Sequence, residues 1–346
     1  MTRSPRSLLN TRATRLIAVL LLAVFGLSGV GSARASNTGA STPAPRGQST
    51  RGGLMRSPAQ PEIAAQRTLT AEEMRAAKPY PTPKTSLKRA SGAAATQVLG
   101  TPGTVKGQTP KINARSSKGG PTTQSIPVDP YTYLYYPYST VGKLFFFQYG
   151  IEYVCSASLV KGHAIWTAGH CAHAGNGDPD GWSYGGIFVP QYYDTDAPLG
   201  VCYVTDWITP SDWYYNGLPD GLDYDYAGGN VSCDLEDITD YTGYLGLAWN
   251  QSYRNFWRAI GYPAGEPFTG EIQIECASGR KGVGIGTPET FGIKCDMTGG
   301  SSGGPWLLYG AYVNGNTSYF DSDYPDLLFS PHLDTLARTL WGLLDS

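Results

Sequence analysis

The sequence predicts an all-β fold, on three observations. Charged residues make up 16% and hydrophobic ones 41%, with 44 glycines and 24 tyrosines, a composition that favours many strands and turns over helices. From residue 140 onward, short apolar runs rich in β-branched and aromatic residues alternate with Gly-rich or charged turns. All six cysteines lie in that same part of the chain, and an even count points to a disulfide framework in an exported protein.

Taken in order, the 346 residues fall into three parts. In residues 1–35, Arg3, Arg6, Arg12 and Arg15 precede an apolar run over 16–30, and Ala33-Arg34-Ala35 offers a small-x-small cleavage site. This reads as a signal peptide, with a retained anchor as the alternative. Residues 36–126 contain no Cys, Trp or Phe and carry 13 Lys+Arg against 3 acidic residues. Such a segment has little apolar surface to offset its ordering entropy and is expected to be disordered. Residues 127–346 carry 8 Lys+Arg against 25 acidic residues. A basic segment ahead of an acidic domain suggests a propeptide that docks electrostatically and is later removed. A plain spacer is the alternative, and nucleic-acid binding is set aside because processing would discard the basic segment.

Within the third part, strands are expected at Lys143-Leu144-Phe145-Phe146-Phe147, Tyr153-Val154-Cys155, Ser158-Leu159-Val160 and Ala164-Ile165-Trp166-Thr167. Further strands are expected around Ile187, Val201, Ile260 and Ile274. Helical spacing appears at the end, where Leu333, Leu336, Ala337, Leu340, Trp341 and Leu344 share one face and Ser330-Pro331 offers a cap and first turn.

The chemistry centres on Gly299-Gly300-Ser301-Ser302-Gly303-Gly304-Pro305-Trp306. By itself this could be a flexible turn. A serine becomes a nucleophile only with a base to take its proton and donors aimed at the developing oxyanion. Of the four histidines, His170 sits in Thr167-Ala168-Gly169-His170-Cys171, a small-residue turn after an apolar run. Asp223 and Asp225 lie two apart in Leu222-Asp223-Tyr224-Asp225-Tyr226-Ala227 and would share one side of a strand. A zinc set of His170, Cys171 and His173 is the metal alternative, though adjacent ligands of this kind rarely close a tetrahedron.

Thr-Ala-Gly-His-Cys, Asp-Tyr-Ala and Gly-x-Ser-Gly-Gly-Pro, in the order His, Asp, Ser, resemble the chymotrypsin-like serine peptidases. The resemblance covers roughly residues 141–341. It implies two packed antiparallel six-stranded β-barrels and a C-terminal helix, with His170 and Asp225 from the first barrel and Ser302 from the second. By the family's Asp-x-Ala pattern Asp225 takes the acid role, with Asp223 the alternative. Gly300 and Ser302 would supply the oxyanion N–H groups, and Cys155–Cys171 would be the histidine-loop disulfide. Cys202, Cys233, Cys276 and Cys295 pair as 202–233 and 276–295 if chain order is kept. Thr317, Ser318 and Tyr319 would lie beside substrate, with Thr298 and Asp296 in its pocket. Asp296 is six residues before Ser302, the register of a buried carboxylate that selects Arg or Lys.

The resemblance is closer to secreted bacterial and fungal members, including the V8-like glutamyl endopeptidase branch. Ser301 stands where the larger animal enzymes have an aspartate, and that branch's acid-selecting histidine, expected near Thr317, is absent, which argues against glutamate specificity. The reading is a secreted, extracellular, monomeric serine endopeptidase of peptide and protein substrates. It is expected to engage its own propeptide, no nucleic acid, no membrane after processing, and no cofactor or metal. The alternatives are a glutamyl endopeptidase, an esterase on the same triad, or a non-catalytic binding module that uses the tyrosine-rich run at 131–136.

Overall fold

A computed structural model describes residues 52–60, 67–86, 100–112 and 124–345; the expected signal peptide lies outside them. Six strands form the first barrel: β1 Val141–Gln148, β2 Ile151–Lys161, β3 Ala164–Thr167, β4 Tyr184–Pro190, β5 Cys202–Pro210 and β6 Ala227–Cys233. Antiparallel pairing runs β1–β2–β3–β6–β5–β4 and returns from β4 to β1, so this sheet closes on itself. Closure satisfies the edge N–H and C=O groups that an open sheet would leave bare.

The second sheet contains β7 Gly246–Trp249, β8 Phe256–Gly261, β9 Ile274–Val283, β10 Phe291–Lys294, β11 Pro305–Leu308, β12 Tyr312–Asn316, β13 Tyr319–Asp321 and β14 Leu327–Ser330. Its ladder order is β7-β12-β11-β8-β9-β10-β14-β13. The all-β architecture therefore matches expectation, with a closed six-stranded barrel and a second sheet that has more strands than six and, among these, one parallel pairing, β7 with β12. Leu144, Phe146, Leu159, Ile165 and Trp207 fill the first core, while Trp257, Phe291, Ile293 and Trp306 fill the second. Each such side chain contributes about 1.5–3 kcal/mol on burial.

Two local expectations change. The runs at 153–155 and 158–160 belong to one strand, because the polar residue between them is not a turn. Ser156 faces the Ser302 loop instead, its N–H donating to Ser302 O at 2.7 Å. The C-terminal helix spans Thr335–Leu343 and is capped by Asp334, whose carboxylate accepts from Leu336 and Ala337 N–H. Ser330 is committed to β14, where its hydroxyl accepts Asn316 N–H at 2.9 Å.

The larger correction concerns the basic segment. Its described pieces are ordered against the domain. Leu54–Arg56 extends the first barrel along β5, Gly103–Val105 extends the second sheet along β7, and Ile126–Pro127 pairs with β9. Leu69 and Met74 enter the main apolar core. Four cross-pairs join its cations to the domain's carboxylates: Arg56–Asp206, Arg67–Glu152, Arg75–Asp194 and Lys111–Asp240. Composition alone suggested disorder because it counts only the segment's own apolar surface. Sheet edges and an oppositely charged partner supply the rest.

The disulfides are Cys155–Cys171, Cys202–Cys233 and Cys276–Cys295, the set that keeps chain order. The last closes a span of 19 residues between β9 and the segment before Ser302. Replacing both of its cysteines by serine should lower unfolding free energy by about 3 kcal/mol through loop-closure entropy. Urea unfolding of the oxidised wild type against the double variant measures this.

Candidate active site

β3 ends at Thr167, and a short helical turn, Gly169–Ala172, carries His170. The Cys155–Cys171 bridge ties that turn to β2. Asp225 follows a single 3-10 turn, Leu222–Tyr224, just before β6. It is wholly buried, and its carboxylate accepts three donors: His170 N–H at 2.8 Å, His170 Nδ1 at 2.8 Å and Ser318 Oγ at 2.5 Å. With Nδ1 donating to Asp225, the Nε2 lone pair faces away and is able to accept a proton. Asn316 adds a support that the sequence did not reveal. Its Nδ2 donates to Asp225 O at 3.0 Å, while its Oδ1 accepts from Trp166 Nε1 at 3.3 Å. The asparagine is fully buried.

The Ser302 loop lies against the histidine turn. Gly303 has φ +80°, and a Cβ there would fall 2.0 Å from Thr167 Oγ1, so only glycine permits the approach. Gly300, at φ +94°, has its carbonyl held by Ser156 Oγ at 2.9 Å. Ser302 Oγ and His170 Nε2 are both buried, and neither has a hydrogen-bond partner among the described residues. The backbone N–H groups of Gly300 and Ser302 likewise have no acceptor among the described residues. Neighbouring Ser301 is occupied, its hydroxyl donating to Thr298 O at 2.7 Å.

No protein-family model matches the chain, and no curated relative matches it. Solved structures do. The protease Anisep from Arthrobacter nicotinovorans is 30% identical, with 59% of this chain and 94% of that one covered at a TM-score of 0.53. The thermostable serine protease AL20 from an extremophilic microorganism is 31% identical, with 59% and 95% covered at 0.54. A Glu endopeptidase shares the fold at 20% identity, with 65% and 96% covered and a TM-score of 0.53. The chain belongs to the chymotrypsin-like serine peptidases. It is an enzyme of the serine endopeptidase class.

In this peptidase the two candidate aspartates do not share a side. The 3-10 turn replaces the expected strand, and Asp223 turns away to accept Thr287 N–H at 2.9 Å. The residues expected at the substrate pocket also divide. A cavity of about 1040 Å³ runs past His170 and is lined in part by Asp296, Thr298, Gly299, Phe320 and Asp321. Asp296 is exposed rather than buried, and its Oδ1 accepts Ser125 N–H at 3.0 Å. Thr298 braces the wall, its Oγ1 donating to Gly265 O at 2.6 Å. The Thr317 and Tyr319 side chains are buried in the sheet, bonded to Trp306 Nε1 and Thr290 Oγ1 respectively. Phe320, the next residue, reaches the cavity in their place, as strand alternation requires. Asp321 was missed by sequence reasoning: it is fully buried, and its Oδ2 has no partner among the described residues.

Cys155, His170 and Cys171 lie together, but both sulfurs are joined in the disulfide and offer no thiolate to a metal. His173 does not join them. Its Nδ1 accepts Gly175 N–H at 3.0 Å, and its Nε2 lies 2.9 Å from Asp178 O. The ring is stacked on Tyr214 with centroids 4.1 Å apart. Burial lowers the His173 pKa below its ordinary value, an effect larger than the opposing hydrogen bond to Asp178. The unfolded chain therefore binds this proton more readily than the folded one, so stability falls as pH drops through the ordinary histidine range. Between about pH 7 and pH 5, the melting temperature of His173→Gln should fall less steeply than that of wild type. Calorimetry across that range provides the check.

Proposed function

We propose that the chain is a secreted serine endopeptidase that cleaves peptide bonds with Ser302 as nucleophile, His170 as base and Asp225 as orienting acid. The observation that carries this reading is the buried Asp225 carboxylate, which grips His170 through both its backbone N–H and Nδ1. That grip fixes the tautomer whose Nε2 can accept the Ser302 proton. As Oγ bonds to the substrate carbonyl carbon, the proton passes to Nε2 and the oxygen becomes negative at the Gly300 and Ser302 N–H groups. His170 then returns the proton to the leaving amine as the C–N bond breaks, and water repeats the sequence on the acyl-enzyme. Ser318 and Asn316 position Asp225. Three disulfides suit an oxidising, extracellular compartment.

The cavity supports a preference for basic side chains by a route different from the one expected. Glu266, Asp296 and Asp321 line it, and among the described residues the one Lys or Arg in its lining, Lys84, comes from the N-terminal segment. A glutamate side chain would meet like charge there, whereas Arg or Lys would supply donors to the unpartnered Asp321 oxygen. A peptide panel varied at one position, compared by kcat/KM, should show Arg or Lys preferred. Asp321→Asn should reduce that preference by about ten-fold or more. A preference for Glu would reject the assignment.

The catalytic reading predicts that Ser302→Ala and His170→Ala each lower kcat by roughly 10⁴-fold or more, because the three residues act as a unit. Asp225→Asn should cost about 10⁴-fold, whereas Asp223→Asn and Ser301→Ala should stay within about ten-fold. Equal damage from Ser301→Ala and Ser302→Ala would overturn the choice of nucleophile.

A further inference from the structure

The chain's own N-terminal segment lies through the cleft. On one side Lys78–Pro79 pairs in parallel with Tyr153 and Val154 of β2, and Tyr80 N–H donates to Val154 O at 3.0 Å. On the other side Lys84–Thr85 pairs in parallel with Phe320 and Asp321 of β13, and Phe320 N–H donates to Pro83 O at 2.9 Å. Between these anchors the segment presses on the nucleophile loop, for a Cβ at Gly299 would lie 2.9 Å from Tyr80 O. The Tyr80 ring sits 5.1 Å from the His170 imidazole at an interplanar angle of 33° and also packs on Phe146 and Tyr153. Its hydroxyl donates to Gln148 Oε1 at 2.8 Å. Prolines at 79, 81 and 83 hold the segment extended, so little ordering entropy opposes its seating.

This occupant differs from a substrate in one decisive respect. A carbonyl about to be attacked must place its oxygen at the Gly300 and Ser302 N–H groups. No carbonyl of the segment accepts from either, and Ser302 Oγ has no partner among the described residues. The segment fills both strand edges of the cleft yet offers no bond to cut.

We infer that residues 78–85 are a built-in inhibitor of the site proposed above, with Tyr80 capping His170, and that the cleft admits peptides only after they leave. The inference rests on the catalytic reading, and the test separates the two. A serine-directed fluorophosphonate is applied to the full chain, and a gel resolves unprocessed from processed protein. Burial and ring contacts of one tyrosine are large enough to predict labelling of the unprocessed band slower by about ten-fold or more than the processed band. Tyr80→Ala should raise the unprocessed rate by about the same factor. Tyr80→Phe, which keeps the ring and removes only the bond to Gln148, should stay slow. Equal rates for the two wild-type bands, or no change in Tyr80→Ala, would overturn the inference. Where Tyr80→Ala is not recovered folded, a synthetic peptide of residues 76–86 takes its place. It should inhibit processed enzyme competitively, and about ten-fold less well with alanine at Tyr80; absence of inhibition overturns the inference. A processed band that never labels, or that still labels in Ser302→Ala, overturns the catalytic reading and the inference with it.

Discussion

The site depends on one buried carboxylate. Asp225 has no solvent exposure, and a charge so placed is tolerable only when donors surround it. Three donors reach its oxygens, two of them from His170 and the third from Ser318. Those same bonds tie together the histidine turn, the segment before β6 and the strand edge at β13. Removing any donor leaves a charge partly unsatisfied, so the geometry of His170 is coupled to the packing of both sheets.

The remaining geometry follows from how closely the two sheets approach. β2 is buried from Val154 through Val160 because one face fills the first barrel and the other meets the Ser302 loop. Ser156 bridges that seam in both directions: its N–H donates to Ser302 O, and its hydroxyl donates to Gly300 O while accepting from Tyr262 N–H. The loop is thus fixed by β2 as well as by its own glycines. In the catalytic reading proposed above, a serine held this way needs no reorganisation when charge develops beside it.

Motifs made the family legible, because His170, Asp225 and Ser302 each sit in a local pattern that backbone geometry demands. Strand existence was also legible wherever β-branched and aromatic residues cluster, as at Ala164–Thr167. What local patterns miss are partners distant in sequence. Asn316 supports Asp225 from 91 residues away, and no local pattern around it signals this. Counting back from Ser302 points to Asp296, which lines the cavity but is exposed, and no spacing reveals that exposure. The buried Asp321 was passed over because no spacing rule pointed to it. Asp334 displaced Ser330 as helix cap for a similar reason: only the sheet pairing shows that Ser330 is already used.

The charge imbalance between the N-terminal segment and the domain indicated docking, yet charge is the weaker part of the hold. The four cross-pairs lie at or near the surface, where each contributes about 0–1 kcal/mol and is screened by salt. Edge pairing on both sheets and burial of Leu69 and Met74 are not screened in that way. Strands 54–56 and 103–105 also anchor the cleft-crossing residues from both ends, so the inhibitor is held at a high effective concentration. Raising salt weakens the ion pairs without ending that confinement. A cut on the C-terminal side of the segment leaves it held to the domain by non-covalent contacts alone, and the confinement ends once the fragment separates. Release is therefore governed by chain connectivity more than by the charges that first drew attention to the segment.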